Sequence, residues 1–118
     1  MLDTEKLPRP EPSILMILWL IGRRPSLYLG PRDASRRDQL LALQAVITGY
    51  TLALLQHGVG QADLGMVGEL EDFLRERSGA DRLSGIDQLL ATAPTDEAAW
   101  ERVWSLIDEF RALKGHVP

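Results

Sequence analysis

Residues Ile21 to Pro31 read I-G-R-R-P-S-L-Y-L-G-P, and the rest of the chain is arranged around them. An eight-residue apolar run, Ile14 to Ile21, leads in, and a long amphipathic segment, Asp38 to His57, leads out. Proline fixes its own φ and disfavours helix at the residue before it, so a first helix ends at or before Arg24. Gly22 is placed to help that end unwind. Ser26 to Leu29 reads as a short extended segment, with Leu27 and Leu29 on one side and Tyr28 on the other. Gly30-Pro31 closes it as a turn. The expectation is an interhelical connector held on the core by two leucines and a tyrosine. Its alternative is a ligand-binding loop built from Arg23, Arg24, Tyr28, Arg32 and Arg36.

Outward from this stretch the apolar spacing is helical on both sides. Ser13 is a good N-cap for a helix over 13–23. Its interior has no polar face, which places it at the centre of the fold or under a second subunit. Asp33 or Ser35 caps a second helix over 35–57, in which Leu40, Leu43, Ile47, Tyr50 and Leu54 make one stripe. Leu41, Ala45, Val46, Leu52 and Leu55 widen that stripe, so this helix too is expected to be largely buried. Gly49 within it is read as a place where another backbone, that of the first helix, comes close.

Three more helices follow. One over 64–78 carries Met66, Leu70, Phe73 and Leu74 on one stripe and Glu69, Asp72 and Glu76 on another. A short one over 84–92 is capped by Ser84 and stopped by Pro94. The last, over 95–114, is capped by Thr95 and carries the strongest apolar stripe, Trp100, Val103, Trp104, Ile107 and Phe110. Asp96 and Glu97 in its first turn and Arg111 and Lys114 at its end suit the helix dipole. No period-2 strand of useful length appears. The fold class expected is all-α, one compact domain of five helices over 13–114. A Pro-rich arm over 1–12, with Pro8, Pro10 and Pro12, precedes it, and a frayed tail over 115–118 follows.

The totals narrow the function. A chain of 118 residues buries roughly two thirds of its unfolded surface, enough for a core without metal or disulfide. It has no cysteine, which excludes a thiol nucleophile and a zinc–cysteine site and suits a reducing cytoplasm. The longest apolar run is far short of the about 20 residues that span a bilayer, and no membrane role is expected. The net charge of −4 is uneven: residues 1–62 carry +2 and residues 63–118 carry −6. An acidic half disfavours nucleic acid, which is bound through its phosphates, and favours a basic protein partner.

Catalytic chemistry has little to stand on. There are two histidines: His57 has no partner at metal spacing on its helix, and His116 lies in the tail expected to fray. No HExxH, GxSxG, Walker or GxGxxG pattern occurs. Neighbouring carboxylates such as Asp108 and Glu109 point apart on a helix. No enzyme, cofactor or metal is expected. The arginines flanking the connector are the one candidate for a phosphate ligand, at the N-terminus of the second helix.

The segment R-P-S-L-Y-L-G, Arg24 to Gly30, with Gly49-Tyr50 in the next helix, resembles an RPxxYLG signature of small all-helical bacterial proteins. These end in a helix with a W/F-x-L/I-x-x-E-F pattern, similar to Trp104, Leu106, Ile107, Glu109 and Phe110 here. They are grouped with immunity proteins of polymorphic-toxin and contact-dependent inhibition systems. The position after the proline is often Gly in that group and is Ser26 here. The resemblance implies a cytoplasmic protein that binds and blocks a toxin, with no catalysis of its own. The partner surface expected from the charge pattern comprises Glu69, Asp72 and Glu76 on one helix and Glu97, Glu101 and Asp108 on another, merged into one negative face if those helices pack together. A homodimeric helical module and a small-ligand sensor using the arginine loop are the alternatives.

Overall fold

The structure, a computed structural model, describes residues 13–31, 33–58 and 60–116. The arm expected over 1–12, Arg32 and residues 117–118 lie outside the described residues. The described residues form six helices and no strand: α1 (Ile14–Arg23), α2 (Pro25–Tyr28), α3 (Arg36–His57), α4 (Gln61–Ser78), α5 (Gly85–Thr92) and α6 (Asp96–Leu113). The fold is the all-α single domain expected from the periodicity.

Four helices start where a hydroxyl caps them. The side chains of Ser13, Ser35, Ser84 and Thr95 accept from the backbone N–H groups of Met16, Asp38, Asp87 and Ala98. Each bond satisfies a donor that the first turn would otherwise leave open. α4 begins at Gln61, earlier than expected, after Gly60 turns the chain at φ 67°. Past the end of α6 the Gly115 N–H bonds the Ala112 carbonyl at 3.0 Å and the His116 N–H bonds the Arg111 carbonyl at 2.9 Å.

The connector differs from the extended segment expected. Arg24 takes φ −140°, outside the helical region, as a residue before proline prefers. Pro25 then opens a single helical turn, a first-turn position where its missing N–H is no loss. The Leu29 N–H closes that turn on the Pro25 carbonyl at 2.7 Å. A helical turn rotates neighbouring side chains apart, so only Leu29 enters the core, at 3% exposure. Leu27 and Tyr28 stand out at 64% and 47%. The connector is therefore held by one leucine, not by two and a tyrosine.

The core lies between α3, α4, α5 and α6, with α1 packed on α4 and α6. Two glycines let elements close up. A Cβ added at Gly22 of α1 would stand 3.0 Å from a ring carbon of Trp104, and one at Gly85 would stand 2.6 Å from the Leu74 carbonyl carbon. Gly22 is thus a packing position within α1 and not the point where that helix unwinds. Gly49 has nothing within 4 Å of its Cβ direction, so the approach of the first helix expected there does not occur.

Of the two places expected for α1 the centre of the fold is overturned, and so is the burial expected for α3. α1 is not central: Ile14, Leu15, Leu18 and Ile21 are buried, but Met16 and Leu20 are exposed. α3 is not largely buried either. Leu40, Leu43, Ile47 and Leu54 face the core, while Leu41, Leu52 and Leu55 are 46%, 60% and 60% exposed. A helix apolar on every side carries no signal for which side turns inward, and here its neighbours cover only one.

Candidate protein-binding surface

The acidic stripe of α4 follows from its spacing: Glu69, Asp72 and Glu76 step by three and four and share one face. α4 packs against α6, and the stripe there forms one wall of a shallow groove of about 320 Å³. Phe73 lies within it, and Phe110, Leu113 and Lys114 of the C-terminal part of α6 and its cap form the other side. The Phe73 and Phe110 rings sit 5.4 Å apart, tilted by 52°, a favourable aromatic arrangement. Lys114 pairs with Glu69 and lies over the Phe110 ring. Arg77 stacks on Phe73 and bonds Glu109 at 2.9 Å. Asp72 and Glu76 are exposed and form no salt bridge among the described residues. The groove thus presents the half-buried Phe73 with the buried Phe110 behind it, and is negative along one rim.

The second acidic set lies elsewhere. Glu97, Glu101 and Asp108 share a face of α6 with Trp104, and Trp104 and Asp108 line a cleft against Leu18, Trp19, Gly22 and Arg23 of α1. The two stripes therefore border different grooves and do not merge, although α4 and α6 do pack. Glu97 accepts from Arg36 at 2.9 Å, and Asp108 accepts from Arg111 at 3.3 Å. Glu101 is exposed.

The arginine loop is largely engaged inside the molecule. Arg36 bonds Glu97 and Gln39 and lies 4.2 Å over the Trp100 ring. Arg37 bonds both Asp96 oxygens and the Leu90 carbonyl. The cations at the start of α3 thus meet the carboxylates at the start of α6, which joins the basic half of the chain to the acidic half. Arg23 sits over Trp19, Arg24 is exposed at the start of α2, and Tyr28 is half-exposed. The charges that a phosphate would need at Arg36 and Arg37 are held by the protein's own carboxylates.

Two polar arrangements had no sequence signal. Asp63, in the first turn of α4, is buried and accepts from the Ile14 N–H at 2.9 Å and from the Tyr50 hydroxyl. One carboxylate so ties the start of α1, the middle of α3 and the start of α4. Burial, and then the bond and charge of Asp63, hold the Tyr50 phenol well above its ordinary range. Arg111 is buried against the α1 cleft and donates through Nε to His116 Nδ1 at 3.1 Å. Burial and then the Arg111 charge push the His116 imidazole below its ordinary value. Nearby, the Trp104 Nε1 is buried with no partner among the described residues. No three His, Asp or Glu side chains gather as metal ligands among the described residues. The chain matches no protein-family model, no curated protein and no solved structure.

Proposed function

We propose that the chain is a non-enzymatic, cytoplasmic binding protein of the immunity type, which neutralises a bacterial toxin by covering a basic surface of it. The observation that carries the reading is the α4–α6 groove: the half-buried Phe73 ring, backed by the buried Phe110, beside a rim on which Asp72 and Glu76 form no salt bridge among the described residues. Aromatic anchors with charge at the edge are the usual make-up of binding hot spots, and an acidic rim speeds encounter with a basic partner. The resemblance of Arg24 to Gly30 and of Trp104 to Phe110 to immunity-protein signatures supports the same reading. The ligand-sensor alternative is weaker, because Arg36 and Arg37 are already paired with Glu97 and Asp96.

The test is to look beside the chain's gene for a large toxin with a variable C-terminal domain and to co-express that domain with this chain. Growth should be restored and a stable complex recovered. Asp72→Lys with Glu76→Lys should keep the helix content by circular dichroism, slow association and remove its salt dependence. Glu69 is left in place because it pairs with Lys114. A toxin that stays active in the presence of the folded chain refutes the immunity reading. An unchanged on-rate at low salt moves the interface away from the groove.

A further inference from the structure

The outward face of α3 is unlike the rest of the surface. Leu41, Ala45, Thr48, Leu52 and Leu55 step by four and three, the spacing of a helix-pairing seam. All five are exposed. No Asp, Glu, Lys or Arg occurs between Asp38 and the end of the helix at His57. Contiguous exposed apolar surface of this kind marks an interaction site. The inner face of the same helix, with Leu40, Leu43 and Ile47 fully buried, is committed to the core.

We propose that this face is the docking site for a second copy of the chain, with the two α3 helices antiparallel and meeting at Thr48. The pattern is complementary to itself in that register. Leu41 meets Leu55, the small Ala45 meets Leu52, and Thr48 lies on the two-fold axis against its counterpart. Gly49 stands next to the axis with open space over it, so the two backbones can approach closely there. Antiparallel helices also place opposite dipole ends together.

The seam itself carries no charged side chain, so two copies, each of net charge −4, can meet there without a like-charge contact. The seam from Leu41 to Leu55 is about 21 Å long at the ordinary helical rise. Leu83, exposed and lining the same cavity as Gln44, adds apolar area beside the seam. The pairing shares no residue with the α4–α6 groove, so it does not depend on the function proposed above.

The chain has no cysteine, so single thiols report the geometry cleanly. Light scattering over a concentration series should give twice the chain mass at high concentration. Leu52→Glu should raise the dimer Kd roughly 100-fold, because it puts two carboxylates into an apolar interface, and should leave the melting temperature of the monomer unchanged. Thr48→Cys should cross-link to itself under oxidation. Leu41→Cys should cross-link to Leu55→Cys in a mixture, and neither should cross-link alone. A monomer at every concentration overturns the proposal, as does a dimer that survives Leu52→Glu. Self-linking of Leu41→Cys overturns the antiparallel register. α3 is also long and apolar enough, by length and composition, to cross a membrane. Sedimentation of the monomer with phosphatidylcholine vesicles, lost in Leu52→Glu, would therefore assign the face to lipid and overturn the proposal.

Discussion

α3 and α6 both send side chains into the core, yet they treat their apolar residues in opposite ways. α6 buries Trp100, Val103, Leu106, Ile107 and Phe110 and gives its other sides to charge and to the cleft with α1. α3 buries Leu40, Leu43, Ile47 and Leu54 and leaves Leu41, Leu52 and Leu55 outside. On α6 the contrast between apolar and charged positions fixes the inward side before any neighbour is considered. On α3 there is no such contrast, and the inward side is set by α4, α5 and α6. A helix of the second kind has a spare face, and that face is where association is to be sought.

The largest effect expected is at the inner face of α3. Ile47→Ala should lower stability by about 2–5 kcal/mol, as Ile107→Ala on α6 should, because each leaves a cavity in close-packed surroundings. Leu52→Ala on the outer face of α3 should change the stability of the monomer by less than about 0.5 kcal/mol. Denaturant unfolding below the dimerisation concentration decides the matter. If Leu52→Ala is as costly as Ile47→Ala, the outer face is covered within the monomer and the contrast between the helices disappears.

Next comes the polar tether of α3. Tyr50→Phe removes the hydroxyl that donates to Asp63 and leaves a buried carboxylate with the Ile14 N–H as its remaining partner among the described residues. The expected loss is about 1–3 kcal/mol. The tether also has a pH signature. The folded-state pKa of Tyr50 is raised, so its contribution is fully present below the unfolded value of about 10 and fades as pH rises above it. Tyr50→Phe should therefore unfold with less loss of stability between pH 9 and 11 than the native chain. Equal losses would show that Asp63 does not hold the phenol.

A smaller effect, of opposite sign, is expected at Gly49. Its Cβ direction is open, so Gly49→Ala should stabilise α3 by about 0.5–1 kcal/mol. The substitution is best made with Leu52→Glu, so that self-association does not enter the measurement. A destabilised double variant would mean that another part of the chain lies over the α3 face.

What could be read from the residues, and what could not, follows the same division. Ser13, Ser84 and Thr95 marked three helix starts, and Ser35 was one of two candidates for a fourth, because a cap is a local bond between a side chain and a nearby N–H. Local rules failed where proline has two uses. Pro25 ends α1 and also opens α2, and only the second use decides that Leu27 and Tyr28 point outward. Asp63 was silent because its partners, Ile14 and Tyr50, lie on other helices. The acidic stripe of α4 was legible from its spacing, but the groove beside it needed the packing of α6. The pairing of Arg36 and Arg37 with Glu97 and Asp96 joins two helix starts that lie far apart in sequence, and no periodicity reports such a contact.

The smallest prediction concerns the far end of α6. Arg111 donates from Nε to His116 Nδ1, which requires a lone pair on that nitrogen and hence a neutral ring. Burial and the Arg111 charge both lower the imidazole's pKa in the folded chain. A lowered pKa gives a contribution that is present above the unfolded value of about 6.5 and is lost as pH falls through the folded value. A protonated ring would turn a second donor toward the guanidinium, leaving Asp108 as its acceptor there. His116→Ala should therefore lower stability at pH 8 by no more than about 1 kcal/mol, the net worth of one such bond. The native chain and the variant should converge as pH is brought to 5. Parallel stability curves from pH 8 to 5 would show that His116 titrates alike in the folded and unfolded chains, and that α6 ends without help from its tail.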